Sequence, residues 1–352
     1  MRTLRQIAAK HETVPSEISW YLADISEARG KQELFIQQSP QRLKVLREHA
    51  LIESAVSSNR IEGVEVAKER VGTIIFGEPA LRDRNEEELY GYREALKLIH
   101  ERGADLPISE ETILSLHKLA RGQAWDAGHY KEKDGEIIER YSDGTSRIRF
   151  KPLSALKTPE AIRESVSLWE AELVNRKVHP LILLAAFNLD FLCIHPFRDG
   201  NGRASRLLML LQCYHLGFEV GRYISLERLI EKNKERYYET LRQSSQGWHE
   251  GNHNPWPYIG YLLYILKTAY REFENRLERI KSPRGEKTSL VIHAIAGALD
   301  VFNVSDIRKQ CPGVSMDMIR RILKNLRAQR QVECLGRGQN AQWRKTKKWN
   351  IG

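Results

Sequence analysis

Residues 195–206 read HPFRDGNGRASR and lie between two apolar segments, Leu181–Ile194 and Leu207–Leu211. Both flanking segments have the composition of buried helices, so the charged run is predicted to form the loop that joins them. The run contains an imidazole, a carboxylate, a Gly-Asn-Gly turn and two arginines. Together these groups predict a site that holds a phosphate-bearing ligand.

The glycines and arginines of this run predict the phosphate-binding part. Gly200 and Gly202 permit backbone angles that are strained for other residues, and successive N–H groups in such a turn form an anion-binding concavity. Arg203 would begin the following helix, whose first N–H groups and dipole also favour an anion. Arg203 and Arg206 are three residues apart and therefore share a helix face. Their planar guanidinium groups suit phosphate oxygens.

The remaining side chains of the run predict chemistry beside that phosphate site. His195 is the side chain whose ordinary pKa allows it to accept a proton near neutral pH. Asp199 is a hard oxygen ligand, and Mg²⁺ is commonly held by one or two carboxylates together with substrate phosphates. Phe197 is expected to anchor the loop in the core. The alternative is a solvated turn with ordinary surface charges. The chain contains no Walker A pattern, so a P-loop NTPase is not supported.

The run resembles the Fic family signature His-Pro-Phe-x-Asp/Glu-Gly-Asn-Gly-Arg-x-x-Arg, which it matches at every fixed position. The glycine at position 202 resembles Fic proper, because the related Doc branch carries a lysine at that position. The resemblance extends over roughly residues 110 to 245 and more loosely over the whole chain. It implies a mainly α Fic helical fold and transfer of AMP from ATP to a protein hydroxyl, with ATP as substrate and Mg²⁺ as cofactor.

The resemblance also implies a role for each residue of the signature. His195 would deprotonate the target hydroxyl, and Asp199 would hold Mg²⁺ against the α- and β-phosphates. The phosphates themselves would be cradled and neutralised by Gly200, Asn201, Gly202, Arg203 and Arg206.

A second motif lies far upstream, where residues 58–63 read SNRIEG. Ser58 and Glu62 are four residues apart and share a helix face, and Gly63 is typical of a helix stop. By composition this is an ordinary helix end. It resembles, however, the Fic inhibitory motif Ser/Thr-x-x-x-Glu-Gly/Asn. In that family the glutamate pairs with the second signature arginine, here Arg206. The pair would occupy the arginine that binds the γ-phosphate and restrain the enzyme in cis.

Other segments are expected to complete the site. Residues 147–153 follow the turn-rich Ser142–Thr145, which predicts a short β-hairpin, either the Fic flap that positions the target or an ordinary loop. Tyr237 and Tyr238 lie on a predicted helix, Leu226 to Leu241, and would either contact the nucleoside or pack in the core. Trp256 is a weaker candidate for closing the adenine pocket. Many Fic proteins have Gly-x-Tyr/Phe-Arg near residue 128, and here Lys131 replaces the arginine.

Composition limits the class of protein. The 352 residues are 41% hydrophobic, and no apolar run approaches the ~20 residues that span a bilayer. No signal peptide is apparent, and the four cysteines lack metal-binding spacing, with Cys193 and Cys213 expected in the core. These features predict a cytoplasmic protein without a membrane partner.

The net charge of +10 belongs to the C-terminal part. Residues 281–352 contain 15 Lys/Arg and 5 Asp/Glu, so the rest of the chain is neutral overall. After the linker 281–287, the pattern predicts helices at Ser289–Leu299, Ser305–Gln310 and Ser315–Arg330, with Ser305 and Ser315 as N-caps and Pro312-Gly313 as a turn. A strand, wing and strand follow, with Gly336-Arg337-Gly338 at the wing tip. The pattern resembles a winged helix-turn-helix domain that binds either DNA or protein.

The sequence therefore predicts three regions. They are an N-terminal helical region with the inhibitory helix (1–109), a Fic catalytic domain (110–280) and a winged helix-turn-helix domain (281–352). The predicted function is a self-inhibited protein adenylyltransferase acting on a Tyr, Thr or Ser hydroxyl of a target protein or of itself. The alternatives are removal of AMP, transfer of another nucleotide, or a DNA-binding regulator that uses the Fic body as a nucleotide sensor. A homodimer is expected from the family alone.

Overall fold

A computed structural model describes residues 2–9, 13–38, 40–77, 80–140, 145–279, 286–311, 313–336, 338, 341–347 and 349. The predicted turn residues 142–144, linker residues 281–285, Pro312 and Arg337 lie outside these ranges. The helices of the described residues are α1 (Arg2–Ala9), α2 (Ser16–Gln38), α3 (Pro40–Ile61), α4 (Lys68–Phe76), α5 (Arg84–Arg102), α6 (Glu110–Arg121), α7 (Thr158–Asn175), α8 (Pro180–Ile194), α9 (Asn201–His215), α10 (Leu226–Lys232), α11 (Lys234–Ser245), α12 (Trp256–Arg279), α13 (Glu286–Gly297), α14 (Val304–Gln310) and α15 (Met316–Ala328). The strands are β1 (Ile137–Arg140), β2 (Ser146–Phe150), β3 (Val301–Asn303), β4 (Val332–Cys334) and β5 (Gln342–Lys345). The predicted mainly α fold is confirmed.

Helix α8 lies at the centre of the larger core. His179 caps its N-terminus by accepting from the Leu181 N–H, and Pro180 occupies the first turn, where no intrahelical donor is needed. Every residue from Leu181 to Ile194 is buried, as a helix that is apolar all round requires. Helices α1, α7, α9 and α12 pack around it. The loop after α8 is thereby fixed at the middle of the body.

The hydrophobic core is continuous from α1 to α12, across the predicted boundary at residue 109. A second core joins α13, α14, α15 and β4 and includes Val45 of α3. Around it lies a three-stranded antiparallel sheet in the order β3-β5-β4. The winged-helix assignment and the boundaries near 109 and 280 stay predictions. None of the helices in the described ranges is long and apolar enough to cross a membrane.

Strands β1 and β2 pair antiparallel with a register shift after Ile137, so a two-stranded ribbon stands at the predicted flap position. Ile138 and Ile148, which face each other across the ribbon, are both about half exposed. The ribbon therefore presents apolar side chains to solvent beside the loop after α8.

Two local predictions are wrong. The single helix predicted from Leu226 to Leu241 is divided into α10 and α11, because Asn233 leaves the helical conformation and its side-chain amide donates to the Leu229 carbonyl. The second helix of the C-terminal part is capped by Asn303 and not by Ser305. Asn303 accepts from the Asp306 N–H, and the Asp306 carboxylate accepts from the Asn303 N–H in a reciprocal capping box. Ser315 caps α15 as predicted.

Candidate active site

His195 follows the last residue of α8 and adopts a left-handed backbone conformation, with φ of 51°. Its N–H donates to the Phe191 carbonyl at 2.9 Å, and its ring Nδ1 lies 3.3 Å from the Leu192 carbonyl oxygen. Because a carbonyl can only accept, Nδ1 carries the proton and Nε2 keeps a lone pair. Burial, with the positive charge of Lys131, lowers the pKa of His195 to about 4. The ring is therefore neutral at pH 7 and able to accept a proton at Nε2.

The loop from His195 to Gly200 is held by a second histidine that the sequence analysis did not single out. The Gly128 N–H donates to Nδ1 of His117 at 3.0 Å, so Nε2 of His117 carries a proton and donates to the Asp199 carbonyl at 2.9 Å. The His117 ring stacks on Phe197 with centroids 3.6 Å apart. Phe197 is buried, which confirms that it anchors the loop.

Asn201 closes the loop with its side chain. Its Oδ1 accepts from the Phe197 N–H at 2.9 Å, and its Nδ2 donates to the Phe197 carbonyl at 2.8 Å. The side-chain amide is thus used within the protein, and its backbone N–H remains for an anion. Gly200 precedes α9 at φ of 78°, a conformation that favours glycine. The first N–H groups of α9, from Asn201 to Arg203, have no acceptor within the helix and form an anion-binding N-terminus.

Arg206 connects the signature to the upstream motif. Its Nε donates to Ser58 Oγ at 2.9 Å, and its Nη2 donates to the Ser58 carbonyl at 3.0 Å and to Glu62 Oε1 at 2.8 Å. The Nη1 atom is buried and has no hydrogen-bond partner among the residues that the structure describes. It lies beside Gly202, since a Cβ built there would be 3.1 Å from Nη1 and 2.1 Å from Glu62 Oε1. Glycine is therefore required at position 202 for the Glu62 carboxylate to approach Arg206. The Nη1 group of Arg206 remains a buried donor beside this glycine.

Gly63, also singled out in the sequence, lies just after α3. The helix ends at Ile61, and Gly63 adopts φ of 79° in the turn that follows. A positive φ is the conformation in which glycine commonly ends a helix. The turn brings the Glu62 side chain back toward α9.

Arg203 is arranged differently from Arg206. It is buried and forms an ion pair with Glu88 of α5 at 2.8 Å, with Asn59 3.3 Å away. Glu88 also pairs with Arg84 and Arg121. Neither Glu88 nor Arg121 belongs to a sequence motif, and only the packing of α5 and α6 against the loop reveals them. The role of Arg203 as a phosphate clamp stays a prediction.

Asp199 is half exposed and ionised. Its Oδ1 accepts from the Gly200 N–H at 2.6 Å, and its Oδ2 lies 2.9 Å from Arg84 and 3.0 Å from Arg121. Burial raises the pKa of this carboxyl, but Arg121, Arg203, the Gly200 N–H and Arg84 outweigh that effect and hold it below its usual value.

A single carboxylate suits Mg²⁺, because this ion takes its other ligands from phosphates and water. No group of three or more acidic, His or Cys side chains that could hold a metal occurs among the residues that the structure describes. The donor set at Asp199 thus fits a metal that arrives with a nucleotide. It does not fit a metal held by protein ligands alone.

Five of the predicted site residues line one cavity of about 320 Å³. Its lining includes His195, Gly202, Glu62, Tyr237 and Tyr238, together with Arg149 and Phe150 of β2. Tyr237 is buried, whereas Tyr238 is partly exposed and lies against the Arg149 guanidinium. Trp256 lines a different cavity, with Ile7 and Ile182, and is not brought to this site.

The comparisons with known proteins agree with this arrangement. Residues 107–213 match the model of the Fic/DOC family, which includes His195–Arg206. The protein adenylyltransferase Fic of Nematostella vectensis is 24% identical over 204 residues, covering 54% of this chain and 42% of that relative. The chain thus spans less than half the length of this curated relative.

Solved structures show the same fold. A Fic family protein from Desulfovibrio desulfuricans G20 aligns with a TM-score of 0.60 at 22% identity and covers 96% of this chain and 98% of that chain. A Fic domain containing signaling protein from Bacteroides thetaiotaomicron VPI-5482 aligns at 0.58 and 21% identity, covering 73% and 98%. The fold is therefore that of these Fic structures. The Fic/DOC family model accounts for residues 107–213, and outside this segment the likeness is one of fold.

Proposed function

We propose that the protein is an adenylyltransferase that moves AMP from ATP to a hydroxyl side chain of a target protein. The observation that carries this proposal is the cavity that His195 and Gly202 share. A neutral imidazole with a lone pair on Nε2 lines the same 320 Å³ space as Gly202, and the unpartnered Nη1 of Arg206 is buried beside that glycine. These groups are suited to taking a proton and to holding a triphosphate.

In the proposed reaction the target hydroxyl oxygen attacks the α-phosphorus of ATP, and its proton passes to Nε2 of His195. The bond between the α-phosphorus and the bridging oxygen breaks, and pyrophosphate leaves. The N–H groups at the start of α9 and the Arg206 guanidinium would neutralise the phosphate oxygens. Mg²⁺, when bound at Asp199, supplies positive charge to the same oxygens. Tyr237 and Tyr238 would contact the nucleoside.

The same contacts support self-inhibition. Nη2 of Arg206 donates to the Glu62 carboxylate and to the Ser58 carbonyl, and Nε donates to the Ser58 hydroxyl. A γ-phosphate that needs Arg206 must displace the Glu62 carboxylate or bind in a nonproductive pose. Glu62 is in reach of solvent, with 29% of its side chain exposed, whereas Arg206 is 2% exposed. The carboxylate is therefore the partner that can move.

The test is transfer of label from α-labelled ATP with Mg²⁺, with and without cell lysate. The proteins compared are wild type, Glu62→Gly and Glu62→Gly/His195→Ala. Protein-bound label in the Glu62→Gly sample alone is the expected result, and label without lysate would identify self-modification. Absence of label in every sample would oppose adenylyl transfer. GTP, UTP and a premodified target in the same assay distinguish the other nucleotidyl transfers and the removal of AMP.

A second candidate function, binding of duplex DNA, is favoured by one surface. On α15 the side chains of Arg320, Arg321, Lys324 and Arg327 are exposed, while Ile319, Ile322, Leu323 and Leu326 are buried. A helix with one basic face and one buried face fits the recognition helix of a winged domain. A protein partner is the competing occupant.

Fluorescence anisotropy with a labelled duplex tests the DNA candidate. Replacement of the four basic residues by Gln should weaken binding and flatten the dependence of log K on log salt by roughly 0.9 for each phosphate that is no longer neutralised. Equal affinity and equal salt slope in wild type and variant would exclude this surface.

A further inference from the structure

Lys131 binds the end of α8 next to the base. Its Nζ donates to the Ile194 carbonyl at 2.8 Å and to the His195 carbonyl at 2.9 Å. Its backbone N–H donates to the Pro196 carbonyl at 2.9 Å. Three consecutive carbonyls, from residues 194 to 196, therefore have the same residue as hydrogen-bond donor.

These carbonyls need such a donor. The last C=O groups of a helix lack intrahelical partners, and α8 is buried, so bulk water does not replace them. Lys131 is itself only 9% exposed. A cation at the C-terminal end of a helix also complements the helix dipole. The ammonium group thus satisfies the helix end from inside the protein.

The backbone of His195 depends on where these carbonyls point. With φ of 51°, His195 is one of three non-glycine residues with positive φ in the described part of the chain. Such a conformation is uncommon for a side-chain-bearing residue and persists only where the surroundings enforce it. Rotation of the 195–196 peptide would turn the His195 carbonyl away from Nζ and move the imidazole with it.

We propose that Lys131 is a positioning residue for the base, holding the carbonyls of Ile194, His195 and Pro196 and thereby the orientation of the His195 ring. The proposal rests on the proposed function for the role of His195 as base. It also gives a structural role to the lysine at position 131, where many Fic proteins have arginine. Arginine and lysine are not interchangeable here, because the compact ammonium reaches two carbonyls on neighbouring residues whereas a guanidinium is a rigid planar fork.

The charge of Lys131 acts on the same ring. Burial lowers the pKa of Lys131 to about 8, so the group is still mostly protonated at pH 7. It disfavours a second positive charge on His195. The charged groups that face the His195 ring or line its two cavities are Lys131, Glu62, Asp199, Arg149, Arg198, Asp126, Glu132, Lys133, Asp134 and Glu136. Glu62 and Asp199 raise the pKa of His195, whereas Lys131 lowers it.

The experiment combines ring titration with kinetics. Lys131→Met removes charge and donors but keeps the stem length, Lys131→Gln keeps a donor without charge, and Lys131→Arg keeps the charge. Lys157→Met, at an exposed lysine that lines neither cavity of His195, is the matched control. The His195 ring is titrated by NMR in the full chain with labelled histidine, and the His195→Ala protein assigns its signal. Transfer is measured in the Glu62→Gly background.

We expect Lys131→Met and Lys131→Gln to raise the pKa of His195 by about half a unit or more, because a nearby like charge is removed. In Lys131→Met, kcat should fall by at least about tenfold with KM for ATP unchanged, because no interaction with ATP is removed. Lys131→Arg should keep the His195 pKa within a few tenths of a unit and recover part of kcat. Lys157→Met should behave as the parent.

The proposal is overturned if folded Lys131→Met or Lys131→Gln protein has the parent's His195 pKa and the parent's kcat. The NMR arm does not need transfer activity. A protein that shows no transfer in any variant would therefore refute the proposed function, while a shift of the His195 signal would still support the positioning role.

Discussion

The contact between Glu62 and Arg206 gives the most direct prediction for activity. The Nη2–Oε1 distance is 2.8 Å, and the remaining donors of Arg206 that have partners are bound to Ser58. One hydrogen bond between charged groups contributes about 1.5–3 kcal/mol. If a γ-phosphate must displace Glu62 from Arg206, removal of the Glu62 carboxylate should raise the rate of transfer by roughly 10- to 150-fold, at about 1.4 kcal/mol per factor of ten.

The assay is the initial rate of label transfer at saturating ATP and Mg²⁺ for wild type, Glu62→Gln and Glu62→Gly. Glu62→Gln should be intermediate, because an amide oxygen still accepts from Nη2 without the charge. Glu65→Gln is the matched control, since Glu65 is an exposed glutamate of the segment after α3. Equal rates in wild type and Glu62→Gly would refute the braking role.

The same substitution should weaken the protein in the absence of nucleotide. Arg206 is buried and already has one unpartnered nitrogen, Nη1. Removal of the Glu62 side chain leaves it with fewer acceptors, at a cost of about 1–3 kcal/mol in the free energy of unfolding. ATP with Mg²⁺ should restore more thermal stability to Glu62→Gly than to wild type. A variant that is as stable as wild type and gains no more from ATP would contradict this account of Arg206.

Three further predictions concern stability. Phe197→Ala should lower the free energy of unfolding by about 3–5 kcal/mol in urea titrations, because a buried aromatic ring is removed; a decrease below about 1 kcal/mol would contradict its anchoring role. Burial lowers the pKa of His49 to about 3, so the folded protein keeps this ring neutral while the unfolded chain binds a proton near pH 6.5. Stability present above pH 6.5 is therefore lost as the pH falls toward 3, at about 1.4 kcal/mol per pH unit. His49→Gln should remove that pH dependence between about pH 6 and about pH 4 relative to wild type, and parallel stability curves would be evidence against it. Val45→Ala should increase hydrogen exchange in residues 286–311 by weakening the C-terminal core by about 1–3 kcal/mol, and unchanged exchange there would show that the contact with α3 is dispensable.

The sequence was sufficient for the resemblance to Fic proteins, the mainly α fold and the loop after α8. These follow from a contiguous motif, whose apolar flanks become α8 and the middle of α9. The upstream motif is different, because Glu62 and Arg206 are 144 residues apart and no local pattern links them. Only the resemblance to Fic proteins predicted that contact. The geometry now has the two side chains in hydrogen-bond range, while the inhibitory role stays a prediction.

Residues that support the loop were not predictable from local patterns. His117, Glu88, Arg121 and Lys131 act on it through tertiary contacts from other helices and loops. In sequence, Glu88 is one of several acidic residues at the start of α5, where such residues are common for the helix dipole. Nothing in the local sequence distinguishes Glu88, the residue that pairs with three arginines, from its acidic neighbours. The cap at Asn303 did have a local signal, since Asp306 stands three residues later and completes a capping box.

Chain order also conceals how the C-terminal part is attached. Val45 lies in the predicted N-terminal region, yet its side chain is part of the C-terminal core. His49, one turn later, bonds to Gln310 of α14 at 3.1 Å. Ser58 on the same helix holds Arg206. At 1.5 Å per residue, Val45 and Ser58 are about 20 Å apart along a single rigid helix. Helix α3 contributes to both cores, so its apolar residues belong to two packing faces. A division of the sequence into successive domains assigns α3 to only one of them.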